Sequence, residues 1–221
     1  MSLKLQRKKG SDISPLDGGT YMAVCVGVID IGTQYNERFK KSAPKVILIF
    51  EIPSERLEID GESKPRWMSG TYTQSMNDKS KLSDILVTWR GKKFNDVELE
   101  IGFDLTQMLG VPAMIQVTQT EKDGRVYSNL EGVSGIPKGL PAPQAEGELL
   151  CYDMENPDDA VFEKLPDWIK EKIRASEEWQ SGHTAEEELD IDTDTGEVME
   201  KAGTGSSEIP AQRELSEEVP F

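Results

Sequence analysis

The strongest constraint on the fold of this chain of 221 residues is the uneven distribution of its charges. Residues 1–138 contain nineteen Lys or Arg and eighteen Asp or Glu, whereas residues 139–221 contain six and twenty-three. The second part therefore has a net charge of −17, and from Glu177 onward it has few large apolar side chains. Such a segment cannot bury enough apolar surface to offset the entropy of ordering. We therefore expect the packed core to form within the first part of the chain.

The first part is nearly neutral, with a net charge of +1, so it can still carry a basic groove. The acidic second part sets the sequence pI of about 4.5. The first part has the size of one ordinary domain. The chain contains no run of ~18 apolar residues, and Met1–Ser14 is polar and basic. Neither a membrane span nor a signal peptide is expected, which favours a cytoplasmic location.

Two long apolar runs predict the central strands of a β-sheet. In the first run, Thr20–Ile31, the residues of both parities are largely apolar, and Gly27 offers a bend point. A strand that is apolar on both faces suits a closed barrel in which it is covered on both sides. The second run, Lys45–Ile52, alternates in the manner of a core strand.

The next elements are a third strand and a helix. The strand Arg66–Thr73 follows the turn pair Asp60-Gly61. The apolar period then changes to that of a helix over Lys79–Arg90, which either Asn77 or Asp78 can cap.

A short helical turn at Asp104–Leu109 precedes two further strands, Met114–Thr120 and Arg125–Val133, which form a hairpin. The order of three strands, one or two helices and two strands matches an OB-fold, a five-stranded barrel with a helix between strands 3 and 4. The same linear order also fits a generic α+β sheet with a helix on one face. The sequence favours a mainly β, OB-fold-like barrel.

The composition divides the chain into five segments. Within residues 156–176, an apolar stripe is interrupted by Pro166, which predicts two short helical pieces. This stripe either packs back on the barrel, which we favour, or detaches to bind a partner. The segments are a flexible N-terminal arm (1–17), an OB-fold-like domain (18–138), a linker (139–155), a helical segment (156–176) and a disordered acidic tail (177–221).

The sequence offers little that could carry out catalysis. The only histidine, His183, lies in the acidic tail, and neither a nucleophile elbow nor a Walker-type glycine loop is present. Cys25 and Cys151 are far apart and lack CxxC spacing, so they indicate neither a zinc site nor a disulfide framework. We therefore expect no enzymatic activity, no metal site and no cofactor.

The loop after the first strand combines aromatic rings with cations. Proteins hold single-stranded nucleic acid with cations along the phosphates and rings on which bases stack. In an OB-fold, this loop commonly grips the nucleic acid. The alternative is that the two rings clamp the loop on the barrel. The candidate residues are Tyr35, Arg38, Phe39, Lys40 and Lys41.

Weaker candidates lie on the third and fifth strands. Trp67 and Tyr72 have opposite parity, so at most one of them lies on a given face and the other belongs to the core. Arg66 can alternatively form a salt bridge with a nearby glutamate, and aromatic residues in strands often belong to the core. The candidates on these strands are Lys64, Arg66, Trp67, Tyr72, Arg125 and Tyr127.

Two features resemble known families. The acidic end of the chain with its terminal Pro-Phe resembles the tail of bacterial and phage single-stranded-DNA-binding proteins, which docks on replication and repair partners. The docking residues implied here are Glu217, Glu218, Val219, Pro220 and Phe221. The first part resembles a family of small phage and prophage proteins found among replication and recombination genes. The matching motifs are Tyr72-Thr73-Gln74-Ser75, Trp89-Arg90-Gly91-Lys92, Phe103-Asp104-Leu105, Leu109-Gly110 and Pro137-Lys138-Gly139.

The resemblances imply a phage-type protein that coats single-stranded DNA and recruits replication or recombination proteins, in the cytoplasm of the host cell. The chain lacks the tetramer-forming features of bacterial single-stranded-DNA-binding proteins, so its assembly into a homo-oligomer stays open. The rival interpretation is an acidic interaction or inhibitor protein, in which the tail mimics nucleic acid and the domain binds a host protein.

Overall fold

Strands dominate the structure, a computed structural model that describes residues 14–59 and 61–187. Within these residues the strands are β1 (Gly19–Asn36), β2 (Lys41–Ile59), β3 (Glu62–Thr73), β4 (Pro112–Lys122), β5 (Arg125–Ser134) and β6 (Leu150–Tyr152). The helices are α1 (Lys81–Arg90), α2 (Asp96–Ile101), α3 (Asp159–Lys164), α4 (Asp167–Arg174) and α5 (Glu177–Glu187), with a 3₁₀ turn at Leu105–Met108. The predicted mainly β class is confirmed.

The strands form one sheet with the order β3-β2-β1-β4-β5. Each neighbouring pair in this order is antiparallel, and β6 adds a parallel pairing to β1. The outermost strands of the order, β3 and β5, come within 8 Å of each other at some Cα positions. The helices α1 and α2 lie between β3 and β4 in the chain, where the sequence predicts helical structure. The strand β6 lies in the segment predicted to be a linker.

The length of β1 allows it to pair with three strands. Residues 19–24 pair with β4, residues 24–36 with β2, and residues 27–29 with β6. Its register on β2 shifts between Cys25 and Gly27, where the sequence predicts a bend, and again between Asp30 and Thr33. Such irregularities bend a strand and increase its twist. They occur where β1 passes from its pairing with β4 to its pairing with β2 and along the latter.

A first core fills the space between the inner face of the sheet and α1. The buried residues of α1 recur at helical spacing, as predicted. The helix begins after Ser80, so the predicted caps Asn77 and Asp78 are wrong, and it ends at Gly91 with a positive φ of 70°. Large apolar residues of this first core include Leu48, Phe50, Leu86, Trp89 and Ile115.

A second core lies on the opposite face of β1 and β2. Their outward residues pack against β6, α3 and α4, and the members include Val26, Ile29, Ile31, Ile47, Ile49, Leu165, Ile169 and Ile173. Burial of one Leu or Ile side chain contributes about 1.5–3 kcal/mol. The helical segment is therefore packed on the sheet, as favoured, and not detached. This segment covers the second apolar face of β1. The sequence pattern instead favours a strand that is covered on both sides within a closed barrel.

The ends of the predicted arm and tail differ from expectation. Leu16 is 3% exposed and belongs to the first core, so the predicted flexible arm 1–17 does not extend to this residue. The helix α5 occupies the first residues of the predicted disordered tail, 177–221. Contacts between Cα atoms group residues up to Gly182 into one unit. The turn residue Asp60 lies outside the described residues.

Candidate nucleic-acid interface

The hairpin between β1 and β2 presents the predicted cluster of rings and cations at its tip. Tyr35 and Phe39 are 60% and 66% exposed. Arg38, Lys40 and Lys41 are exposed as well. The alternative in which the two rings clamp the loop on the sheet would bury them, and the structure shows them in solvent. Five side chains that suit phosphates and bases therefore share one tip.

Local geometry holds this tip in a tight turn. Asn36 and Lys41 pair across the hairpin, and the side-chain oxygen of Asn36 accepts a hydrogen bond from the N–H of Phe39 at 3.2 Å. Lys40 adopts a left-handed conformation, with a φ of 48°. The guanidinium carbon of Arg38 lies 5.5 Å from the centroid of the Phe39 ring, a cation–π distance. The tip therefore combines a positive charge and an exposed ring at one point.

Trp67 on β3 is a further exposed ring. Its side chain is 39% exposed, and its indole N–H donates to the carboxylate of Glu51 at 3.4 Å. Glu51 is fully buried and also accepts hydrogen bonds from the backbone N–H groups of Glu146 at 2.6 Å and Gly147 at 3.1 Å. A ring that is held in place loses little side-chain entropy when a base stacks on it.

The two cations near Trp67 have different environments. Arg66 is half-buried, and its guanidinium donates to the backbone carbonyl of Ser14. This contact fixes the N-terminal segment, in place of the glutamate salt bridge considered from the sequence. Lys64 is exposed and lies 2.9 Å from the carboxylate of Glu62. Arg66 therefore mainly stabilises the fold, whereas Lys64 is exposed on the surface.

The expectation that Tyr72 contacts nucleic acid is corrected. Its side chain is 4% exposed and belongs to the first core. Burial raises the pKa of the hydroxyl to about 12, and the hydroxyl has no hydrogen-bond partner among the described residues. Strand residues of opposite parity point to opposite faces, so the exposure of Trp67 and the burial of Tyr72 agree with each other.

The hairpin between β4 and β5 carries the remaining candidates. Arg125 pairs with Lys122 next to the turn, and Tyr127 pairs with Thr120. Arg125 is exposed, and Tyr127 is 47% exposed. This hairpin therefore offers a ring and two cations, although fewer groups than the β1–β2 hairpin.

The strand register separates the candidates along the sheet. The β1–β2 hairpin follows the C-terminal end of β1. At the N-terminal end of β1, Gly19 pairs with Val117, and after Val117 the strand β4 continues to the β4–β5 hairpin. Trp67 pairs with Glu51, which lies opposite Val24 in the earlier half of β1. The candidates therefore form two groups at the two ends of β1, and β3 runs from one end toward the other.

A pocket at the end of β3 was missed by the sequence analysis. It has a volume of about 530 Å³ and lies between β2, β3 and the start of α1. Its lining includes Lys45, Lys79 and Lys81 with the polar side chains of Thr71, Thr73 and Asn77, and none of the described residues that line it is acidic. Lys45 is distant in sequence from the other two lysines, so no local pattern joins them. The run Lys79-Ser80-Lys81 before an uncapped helix is the signal that could have pointed to the pocket.

The first residues of α5 bind the base of the β1–β2 hairpin. The hydroxyl of Ser42 donates to the carboxylate of Glu177. Thr33 donates to the carboxylate of Glu178 from its backbone N–H at 2.7 Å and from its hydroxyl at 2.5 Å. Burial alone would raise the pKa of Glu178, but the hydrogen bonds from Thr33 outweigh it and lower the pKa. The acidic segment therefore starts, in its charged form, beside the cluster of rings and cations.

Glycine is required at this contact. Gly32 has a φ of 66°, and a Cβ atom there would lie 2.6 Å from the carboxylate of Glu178 and 2.7 Å from the Cβ of Ser176. Only a residue without a side chain allows both the left-handed backbone and the close approach.

No protein-family model matches the sequence, and no curated protein matches it either. The predicted docking tip, Glu217–Phe221, lies outside the described residues.

Groups that could carry other chemistry are few in the described part of the chain. It contains no cluster of three or more His, Cys, Asp or Glu arranged to hold a metal ion. Burial raises the pKa of the Cys25 thiol to about 12, and burial with nearby carboxylates raises that of Cys151. A raised pKa keeps a thiol protonated and unreactive. None of the helices described is long and apolar enough to cross a membrane.

Proposed function

We propose that this protein binds single-stranded DNA through charge and base stacking, without a cofactor and without enzymatic activity. The observation that carries this proposal is the tip of the β1–β2 hairpin, where two exposed rings accompany three cations. Apolar side chains that are exposed side by side, unlike single ones, mark interaction sites on a protein surface. Stacking of one base on such a ring is worth ~1–3 kcal/mol.

The sheet topology supports an OB-fold-like barrel for this function. Approach of β3 to β5 would join the two ends of the order β3-β2-β1-β4-β5 into a five-stranded ring. OB-folds bind oligonucleotides with their strand faces and with the loops between strands 1 and 2 and between strands 4 and 5. The two hairpins described above occupy these two positions in the chain.

The acidic tail has a separate role in the proposal. Its terminal Pro-Phe resembles the docking tip of bacterial and phage single-stranded-DNA-binding proteins, and we propose that it recruits replication or recombination proteins. From the resemblance to phage proteins we also propose that it acts in the cytoplasm of the host cell.

The test is a titration of fluorescein-labelled oligo-dT with the full chain, read by fluorescence anisotropy at about 50 mM salt, where phosphate contacts are strong. We expect tight binding by the wild type. The double variant Tyr35→Ala/Phe39→Ala should bind at least about 30-fold more weakly, because it loses two stacking surfaces worth ~1–3 kcal/mol each. Trp168→Ala removes a ring that is 42% exposed on α4 and serves as the matched control.

Equal affinity of the hairpin variant and the Trp168→Ala control would rule out stacking at the hairpin. Absence of binding by the wild type would contradict the proposal as a whole and favour the acidic interaction protein.

A further inference from the structure

The second core restricts where a nucleic-acid strand can lie. The outward side chains of β1 and β2, among them Ile29, Ile47 and Ile49, are buried under β6, α3 and α4. A strand of DNA therefore has no access to the middle of this face. The neighbouring strand β3 is the outermost strand on this side of the sheet.

The outward residues of β3 form an open, polar row. Trp67, Ser69, Thr71 and Thr73 share one parity, so they face the same side. Trp67 and Thr71 are exposed, and Ser69 and Thr73 are half-buried. At ~3.3 Å per residue, the row from Trp67 to Thr73 is about 20 Å long. It starts at a ring suited to stacking and ends at the basic pocket.

The pocket has the charge and the donors that a phosphate needs. The ammonium group of Lys45 donates to the hydroxyl of Thr73 at 2.6 Å, which holds both groups at the pocket wall. Lys79 and Lys81 are exposed and also line the pocket. Lys81 also lies 3.6 Å from Glu131 on β5, a distance at which an exposed pair contributes little. Three cations and several hydroxyl groups therefore surround one cavity.

The start of α1 borders the same cavity, which Ser80 and Lys81 line. Ser80 is the N-cap residue, but its side chain makes no capping hydrogen bond. The first N–H groups of a helix lack partners within the helix and attract anions. The lysines that line the cavity carry most of the attraction for a phosphate.

The pocket is also close to the β1–β2 hairpin. Lys45 follows Lys41 on β2 by four residues, about 13 Å along an extended strand. The hairpin tip and the pocket therefore lie at neighbouring positions along β2, and the outward row of β3 ends at the pocket.

On the basis of the proposed function, we propose that this pocket binds backbone phosphates of single-stranded DNA, and that the strand runs along β3 from the pocket to Trp67. The ligand class is the phosphodiester backbone of an unpaired strand. The sequence-independent contacts come from the lysines, and the base at the far end stacks on Trp67.

The test compares two double variants in oligo-dT titrations over a salt series. Each lost phosphate contact lowers the slope of log affinity against log salt by about 0.7 for a single strand, so Lys79→Ala/Lys81→Ala should lower it by about 1.4. We expect its affinity to fall about tenfold at low salt. Lys92→Ala/Lys93→Ala removes the same charge from two exposed lysines beyond the other end of α1. This control should keep the wild-type slope.

A footprint on the wild-type chain supplies a second measurement that needs no variant. Acetylation of lysines followed by mass spectrometry should show protection of Lys45, Lys79 and Lys81 by oligo-dT, and no protection of Lys92 and Lys93.

The outcomes separate this inference from the proposed function. Equal slopes for the two double variants, or an unprotected pocket in the footprint, would overturn the pocket while wild-type binding still supported the proposed function. A wild type that fails to bind oligo-dT would overturn both.

Discussion

At the scale of single residues, β3 shows how alternation assigns opposite roles to neighbouring aromatic residues. Trp67 faces outward and is held by Glu51, whereas Tyr72 faces the first core. Tyr72 packs closely on Gly70, where a Cβ atom would lie 2.3 Å from its hydroxyl oxygen. The tyrosine therefore belongs mainly to the fold, and it also forms part of the floor of the basic pocket.

We expect Tyr72→Phe to raise the free energy of unfolding by about 1 kcal/mol at pH 7, because it removes a buried hydroxyl without a partner. The pKa of this hydroxyl is raised from 10.0 to about 12 by burial. The unfolded chain therefore loses the proton first, and wild-type stability falls as the pH rises from 10 toward 12. The advantage of the variant should grow over this range.

Urea unfolding of both proteins at pH 7 and at pH 10.5 measures the difference. A loss of stability in the variant at pH 7 would show that the hydroxyl makes a hydrogen bond.

Residue patterns predicted the apolar core well and the buried polar contacts poorly. Alternation in Lys45–Ile52 identified a core strand, and its apolar members are buried. The same alternation gives no reason to bury Glu51. Its partners are the backbone N–H groups of Glu146 and Gly147, which are 95 and 96 residues away in the chain. Contacts of this kind depend on the tertiary structure and leave no local pattern.

At the scale of elements, prediction succeeded where an element has a long periodic pattern. Apolar periodicity predicted the helix α1 and the five long strands. The break predicted at Pro166 lies between α3 and α4, as expected. The six-residue helix α2 and the three-residue strand β6 are too short for a period to be visible. The helix α5 has the composition of a disordered segment, but Trp179 stacks on Phe162 with ring centroids 5.4 Å apart.

The docking of α5 defines where the acidic segment should be removed. Residues 183–221 contain twelve Asp or Glu and two Lys or Arg. The acidic segment follows Glu177 in the chain after only about 8 Å of helix, and Glu177 accepts a hydrogen bond from Ser42 at the base of the hairpin. A short tether raises its local concentration there. We expect a chain ending at Gly182 to bind oligo-dT about 3- to 10-fold more tightly than the full chain at 20 mM salt, and equally at high salt, where screening is strong.

Anisotropy titrations over a salt series measure this competition. A full-length chain in which the acidic residues after Gly182 are replaced by Asn or Gln is the control, and it should behave like the shortened chain. Equal affinities for the full and shortened chains at low salt would contradict the competition. A chain ending at Ser176 should instead unfold at a lower temperature, because it loses the contacts of Glu177, Glu178 and Trp179.

At the scale of the whole molecule, the two faces of the sheet have different surroundings. One face encloses the first core, and the other is covered over β1 and β2 by the C-terminal helices but stays open along β3. The overall charge of −16 conceals this arrangement, because the cations of the hairpin tip and the pocket belong to a part of the chain that is nearly neutral. The distribution of charge, and not its sum, is what supports nucleic-acid binding.

The salt dependence of oligo-dT binding by the full chain tests the central claim most directly. Each phosphate contact to a single strand adds about 0.7 to the slope of log affinity against log salt, so three or more contacts should give a slope of about −2 or steeper. We expect that slope together with quenching of tryptophan emission as a base stacks on Trp67. A flat salt dependence, or no binding at about 50 mM salt, would contradict the claim that this surface holds single-stranded DNA.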